Sequence, residues 1–302
     1  MENKVIVIGA VNMDICGTAE KELIMRDSNP GSVSMTVGGV GHNIAVNLRN
    51  LGLGVKLIAA IGSDLYGEGL LKSCLDDGLD MSLARYVEGS SSCYLYINDE
   101  KGDLALAVCD TDISGCIDPE YLSRHLDEIN AADALVIDGN LPPETLIWIA
   151  DNVTAPLYAD PVSVRKSERL IPVLPKLCAI KPNDLEAMYM TGEPSPEKAA
   201  LSLLKSGVKR VFVSLGECGM IAAEGDSLIT LPCSVTKPVN TAGAGDAATA
   251  AMVWAGIRGL SLEDTAIAAN RAAAAAIACS APINPLLREA DMTGSTLRQK
   301  PC

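Results

Sequence analysis

Four short apolar runs follow one another through the middle of the chain: Leu135-Val136-Ile137, Leu157-Tyr158-Ala159, Leu177-Cys178-Ala179-Ile180 and Val211-Phe212-Val213. Helix-length segments separate them. A strand with one solvated face alternates apolar and polar residues, whereas a strand covered on both faces is apolar throughout. Short continuous runs joined by helices therefore predict an α/β fold with a parallel sheet sandwiched between helices. Two further runs extend the pattern toward the N-terminus: Val5-Ile6-Val7-Ile8, ended by Gly9, and Leu57-Ile58-Ala59-Ala60-Ile61, closed by Gly62. Between them Ile44, Ala45, Leu48 and Leu51 share one helical face, and Gly52 stops that helix.

Two stretches interrupt the alternation. Residues 14–37 show no helical period and carry a turn at Asn29-Pro30-Gly31. Residues 83–110 read as strands in series, with a hairpin from Ser92–Ile97 to Leu104–Val108. A β-only insertion in a parallel α/β protein suits a lid over the sheet's ligand edge; an edge hairpin or an oligomer contact is the alternative. The C-terminal part is rich in alanine, and residues 242–256 and 264–281 read as helices. The polar tail 291–302 is expected to fray. The whole chain, 1–302, is expected to form one domain whose lid comes from about 14–37 and 83–110.

The composition narrows the partners. Among 302 residues there are 24 Lys+Arg against 38 Asp+Glu, a net charge of −14, with no basic run. Binding to nucleic acid or to an anionic membrane is disfavoured. Aromatic residues make up only 3%, so stacking platforms are scarce. No stretch of 18 apolar residues is present, and Met1-Glu2-Asn3-Lys4 does not open a signal peptide. Ten cysteines without a C-x-x-C pair read as reduced thiols of a cytoplasmic protein. Two histidines, His42 and His125, are too few for a structural zinc site.

The stretch Asn240-Thr241-Ala242-Gly243-Ala244-Gly245-Asp246 carries the strongest chemical signal. Glycines opening a helix let backbone N–H groups converge on an anion, and the helix dipole adds positive potential. A carboxylate in that first turn can take a proton from a hydroxyl attacking a phosphoryl group. A glycine turn with a stabilising acidic residue is the bland alternative. The same glycines satisfy a dinucleotide fingerprint, but the following residues read as helix–helix and not as a βαβ unit. Walker A and G-x-S-x-G patterns are absent. Gly38-Gly39-Val40-Gly41-His42-Asn43 also opens a helix, as a ligand loop or a structural turn. Asn12-Met13-Asp14 follows the first strand, where Asn and Asp suit sugar hydroxyls or an Asx turn. Lys181-Pro182-Asn183-Asp184-Leu185-Glu186 offers either Mg²⁺-bound waters or a capping box. Ser214-Leu215-Gly216-Glu217-Cys218-Gly219 is a strand entering a glycine turn.

Together, and in this order along essentially the whole chain, these five motifs resemble the PfkB (ribokinase-like) carbohydrate kinase family. The resemblance implies a ribokinase-like doubly wound, mostly parallel sheet with a small β lid, and ATP-dependent phosphorylation of a sugar or nucleoside hydroxyl. It implies that Asp246 is the base and that the N–H groups of Ala242, Gly243, Ala244 and Gly245 form an anion hole. Asn12, Asp14, Gly38, Gly39 and Asn43 would hold the sugar. Asn183, Ser214, Gly216, Gly219 and Asn270 would lie toward ATP, with Glu186 reaching Mg²⁺ through water. Within the family, Asp27-Ser28-Asn29-Pro30-Gly31, Gly62-Ser63-Asp64-Leu65-Tyr66-Gly67, Asn140 and Asn240-Thr241 are most similar to members that phosphorylate pseudouridine. The implied acceptor is then its 5′-hydroxyl, with Ser28 and Asn29 toward the uracil edge. Ribokinases usually carry Glu where Asn140 aligns, which argues against plain ribose. Asn240 stands where the usual family form has an Asp that helps build a monovalent-cation site, which puts K⁺ activation in doubt. A kinase of another nucleoside or sugar is the alternative, as is a non-catalytic ligand-binding member of the fold. A sugar-phosphate acceptor would need a lid cation, for which Lys21, Arg26 and Arg85 are the few options. An exposed lid edge also suggests a homodimer through the lid. With so few aromatics, adenine is expected to rest on alanines and glycines near 243–280.

Overall fold

The computed structural model describes residues 4–233 and 238–293. In chain order the strands are Lys4–Ile8 (β1), Asn12–Ala19 (β2), Gly31–Gly38 (β3), Gly54–Ile58 (β4), Ala60–Gly62 (β5), Arg85–Val87 (β6), Cys93–Asn98 (β7), Leu104–Asp110 (β8), Ala134–Asp138 (β9), Leu157–Asp160 (β10), Leu177–Ile180 (β11), Arg210–Ser214 (β12), Met220–Glu224 (β13) and Ser227–Leu231 (β14). The α-helices are Val40–Asn50 (α1), Leu65–Asp76 (α2), Pro119–Ser123 (α3), Leu126–Asn130 (α4), Pro143–Asn152 (α5), Val164–Ser167 (α6), Asp184–Thr191 (α7), Pro196–Lys205 (α8), Ala244–Ile257 (α9), Leu262–Ile277 (α10) and Glu289–Thr293 (α11).

The main sheet runs β14-β13-β12-β11-β10-β9-β1-β4. From β4 to β12 every neighbouring pair is parallel, and β13 and β14 continue as an antiparallel meander. Strand β1 shows how the sheet is covered. Val5 and Val7 enter one core with Ile44 and Leu48 of α1 and the alanines of α9 and α10. Ile6 and Ile8 enter the other with Leu146 and Ile149 of α5 and Leu203 of α8. Each such side chain contributes about 1.5–3 kcal/mol on burial.

Helix α9 is buried all round, with Ala247, Ala248, Ala250, Ala251, Val253 and Trp254 shielded from solvent. It packs between α1 and α10 on one face of the sheet, and small side chains permit that close approach. A Cβ on Gly256 would fall 2.4 Å from the Tyr158 hydroxyl of β10. The N-terminal half of α9 is tied to the carboxyl edge of the sheet where Thr249 Oγ1 donates to Asp160, the last residue of β10, at 2.6 Å.

The expected lid is a separate sheet, β3-β2-β7-β8. Strand β2 pairs antiparallel with β3, from Asn12↔Gly38 to Ala19↔Gly31, and parallel with β7. Arg85–Val87, inside the 83–110 stretch, pairs instead with β5 in its own two-stranded sheet. Val33, Met35, Leu104, Leu106 and Val108 of the lid are exposed. Residues 291–293 belong to α11, and the remainder of the polar tail, 294–302, lies outside the described residues. No described cysteine forms a disulfide. Among the described residues no helix is long and apolar enough to cross a membrane.

Candidate active site

Gly243 caps α9 in the left-handed region, at φ 77°, and a Cβ there would meet the Pro282 carbonyl oxygen at 1.9 Å. Only glycine fits both the turn and the overlying loop. The first four N–H groups of a helix have no intrahelical partner, so the Gly243–Asp246 backbone presents donors at the sheet's carboxyl edge. The Ala242 N–H is already used: it donates to Asn240 Oδ1 at 3.0 Å. The same Asn240 amide donates through Nδ2 to the Ser280 carbonyl at 2.9 Å. Both ends of this neutral side chain are occupied by the protein, its oxygen by an N–H and its N–H by a carbonyl. The residues therefore do not fit a monovalent cation held through Asn240.

Asp246 sits in the first turn of α9, and its Oδ2 accepts from Asn43 Nδ2 at 2.7 Å. Burial pushes its carboxyl up to about 7; the charge of Asp160 adds to the shift, while the Asn43 bond and Lys181 oppose it. An acid poised there can exchange a proton near neutral pH.

The glycines before Asn43 have identifiable tasks. A Cβ on Gly38 would lie 2.1 Å from Asp14 Oδ2, so Gly38 makes room for that carboxylate. Gly39 has φ 99° and approaches the Ala10 carbonyl, and Gly41 packs on the Gly9 backbone. Together they press the N-terminus of α1 against the β1–β2 connection, where Asn12 and Asp14 lie. Asp14 Oδ1 is buried with no hydrogen-bond partner. Burial raises its carboxyl to about 6, with His42 pulling the other way. An unpartnered buried oxygen is costly unless a ligand satisfies it. Asn12 Oδ1 accepts from Ser92 Oγ at 2.8 Å, tying the β1–β2 connection to the residue before β7.

Other expected residues are placed as follows. Asn140 follows β9; its Oδ1 accepts from Lys166 Nζ at 2.5 Å, and Asp138 Oδ1 receives its N–H. Asn29 spends its amide inside its own loop, on Ile24 and Asp27, and Ser28 beside it is exposed. The structure does not bring these two to Asp14 or Asp246. Asn183 and Glu186 form a reciprocal capping box on α7, with Asn183 Oδ1 taking the Glu186 N–H at 2.8 Å and Glu186 Oε2 the Asn183 N–H at 2.9 Å. Burial raises the Glu186 carboxyl, against the pull of the Asn183 N–H. Ser214 bonds the Pro182 carbonyl beside it, and Gly216 and Gly219, both at positive φ, turn β12 into β13. Asn270 donates from α10 to the Pro232 carbonyl at 3.4 Å. Arg85 pairs with Asp118 and lies 5.0 Å from the Tyr121 ring, away from the lid. Among the described residues no group of three or more His, Cys, Asp or Glu is arranged to hold a metal ion directly.

Residues 2–289 match the family described as pfkB family carbohydrate kinase. The chain belongs to that family. It is an ATP-dependent kinase of sugars or nucleosides. It is 34% identical over 297 residues to Pseudouridine kinase of Escherichia coli (strain K12), covering 95% of each chain. A solved carbohydrate kinase from Agrobacterium tumefaciens superposes with a TM-score of 0.84 at 27% identity, over 96% of this chain and 95% of that one. An Arabidopsis thaliana ribokinase, complexed with ribose and ATP, superposes with a TM-score of 0.85 over 97% of this chain and 98% of that one. At 22% identity that likeness concerns the fold alone.

Motif reading of this kinase missed a second layer. Lys181, quoted only as the head of a motif, meets Asp160, which Thr249 of α9 also holds, and Asp138 receives the Ala10 N–H at 2.9 Å. The only available signal was position: Asp138 and Asp160 are the last residues of β9 and β10. Asp64 was read only as part of a likeness. It caps α2 through Gly67 N–H and holds both the Ser91 hydroxyl and N–H, anchoring the loop that enters β7.

Proposed function

We propose that this kinase transfers the γ-phosphoryl group of ATP to the 5′-hydroxyl of pseudouridine. The observation that carries the acceptor is the 34% identity, over 95% of both chains, to Pseudouridine kinase of Escherichia coli. The site supports the chemistry. Asp246 accepts the hydroxyl proton while the acceptor oxygen bonds to the γ-phosphorus and the bond to the bridging β–γ oxygen breaks, releasing ADP. The N–H groups of Gly243, Ala244 and Gly245 face the charge on the transferring group; one such donor is typically worth about 3–4 kcal/mol. Asn43 orients Asp246 through the 2.7 Å bond. Asp14, with Oδ1 unpartnered, accepts from sugar hydroxyls, and Asn12, Gly38 and Gly39 shape the same wall. Asn140 stands by the acceptor with Lys166 on its oxygen. Ser28 and Asn29 reach the base only if the loop from 24 to 30 exchanges its internal hydrogen bonds for the ligand.

ATP lies along Asn183, Ser214, Gly216, Gly219 and Asn270, with adenine against the small residues of α9 and α10. Bound Mg²⁺ neutralises phosphate charge. Glu186 would hold it through water while keeping its capping bond to the Asn183 N–H, since carboxylate oxygens suit a hard divalent ion. The protein works in the cytoplasm, with no nucleic-acid or membrane partner, and its exposed lid strands join two copies. The test is mass spectrometry after incubation with ATP–Mg²⁺ and pseudouridine, uridine, adenosine, ribose or fructose 6-phosphate in turn. One phosphoryl group gained by pseudouridine alone is the expected result. Phosphorylation of a different acceptor alone would overturn the assignment and leave the kinase chemistry standing.

A further inference from the structure

Lys181 is a buried cation with no part in the chemistry described above. Its side chain is 5% exposed, and its Nζ lies 3.5 Å from Asp160 Oδ2, itself 6% exposed. Asp160 is held rigidly. Its Oδ2 accepts from Thr249 Oγ1 of α9 at 2.6 Å, and its Oδ1 from the Val162 N–H at 2.9 Å. Val162 is β-branched yet sits at φ 72°, a conformation that persists only where the surroundings impose it. The ammonium also lies against the glycine turn: a Cβ on Gly245 would be 3.3 Å from Lys181 Nζ. Three carboxylates act on it, from Asp160 at the end of β10, Glu186 on α7 and Asp246 on α9. Burial alone would strip its proton, and these carboxylates outweigh that.

We propose that Lys181 is a positioning residue for phosphoryl transfer: its ammonium, anchored on Asp160 and set against the Gly245 turn, holds a positive charge beneath the anion loop beside Asp246. This deepens the reading of Asp246 as the base and rests on it. The groups facing Asp246 are Asp160, Asp138 and Lys181, with Asn43 as hydrogen-bond donor. Among them only Lys181 is positively charged. Without it, Asp246 would face two buried acids, and a proton would be the cheapest remedy.

The test reads Asp246 directly and needs no substrate. The carboxyl carbons of ¹³C-labelled aspartates are followed by NMR across pH 5 to 9 in the full chain, with Asp246→Asn identifying the Asp246 signal. In Lys181→Met the Asp246 titration should move up by at least one pH unit, and in Lys181→Arg it should stay near the wild-type position. Lys181→Gln serves if the Met chain does not fold. With ATP–Mg²⁺ and pseudouridine, kcat of Lys181→Met at pH 7 should fall at least tenfold and recover in part by pH 9. The acceptor KM should change little. An Asp246 signal unmoved in a folded Lys181 variant, or uptake of the proton by Asp160 in its place, would overturn the proposal. Full activity of Asp246→Asn would instead remove the base assignment.

Discussion

Asp246 and Asp14 are both acids that the fold makes reluctant to ionise, and the two consequences can be measured separately. Burial puts Asp246 near 7 and Asp14 near 6. Unfolded, each would titrate near about 4. Between those values the folded state holds protons that the unfolded state has released. The stability this gives is complete below about pH 4 and is lost as pH rises through the folded values. At pH 8 both carboxylates are charged and costly. Asp246→Asn should therefore lower kcat by about 10²–10⁴ while raising the melting temperature at pH 8 above that of the parent; at pH 4 the gain should vanish. Calorimetry at the two pH values, beside a kinase assay, checks both halves, and an Asn variant that melts earlier at pH 8 would refute the strain. Gly38→Ala makes a second case. Its methyl would stand 2.1 Å from Asp14 Oδ2, so the carboxylate must turn away. The acceptor KM should rise at least tenfold with the KM for ATP nearly unchanged. Equal effects on both substrates would show a general distortion instead.

The termini of helices carry most of this site, and they were unequally legible. Glycine at the head of α9 and an acid in its first turn follow from residue type alone, because only certain residues solve the geometry of a cap. Asn183 and Glu186 show the opposite case: one spacing serves a capping box and a metal-water shell alike, and the capping box seen here leaves the second use open to Glu186. Asp160, Lys181 and Thr249 could not be found by spacing, since β10, the β11–α7 connection and α9 bring them together from positions 89 residues apart for the hydroxyl bond alone. Asn240 turns this into a prediction at the level of the loop before α9. Its amide joins the Ala242 N–H to the Ser280 carbonyl. A carboxylate there would set two acceptors against each other, which a cation can reconcile. Initial rates of the parent should thus be the same in potassium and in tetramethylammonium chloride at equal ionic strength. Asn240→Asp should melt lower in tetramethylammonium and recover when potassium replaces it. Potassium activation of the parent itself would show that the amide is no substitute.

At the scale of the whole molecule, the parallel core was readable because β1, β9, β10, β11 and β12 are apolar on both faces, a pattern no solvated sheet tolerates. Strand order and the parallel β2–β7 pairing were not, because register inside a lid exposed on much of its surface is weakly written in hydrophobic pattern. That same exposure bears on assembly. Val33 is 75% exposed, Met35 lies open with it on the edge strand β3, and Leu104, Leu106 and Val108 lie open on the opposite edge strand β8. Apolar lid surface and unpaired lid edges favour association, whereas each chain carries a net charge of −14. Two such chains repel over a distance set by salt, about 30 Å at 0.01 M and about 8 Å at 0.15 M. A lid dimer should therefore tighten as salt is added, the reverse of an association driven by opposite charges. Sedimentation velocity should show the dimer fraction rising from 0.01 M to 0.15 M salt, about the two limits of that screening. The double variant Val33→Lys with Leu106→Lys should remain monomeric at both concentrations. Its far-ultraviolet circular dichroism should match the parent, because both side chains leave the core untouched. A parent that stays monomeric at every salt concentration would refute the lid dimer, and a double variant that still dimerised would place the contact elsewhere on the surface.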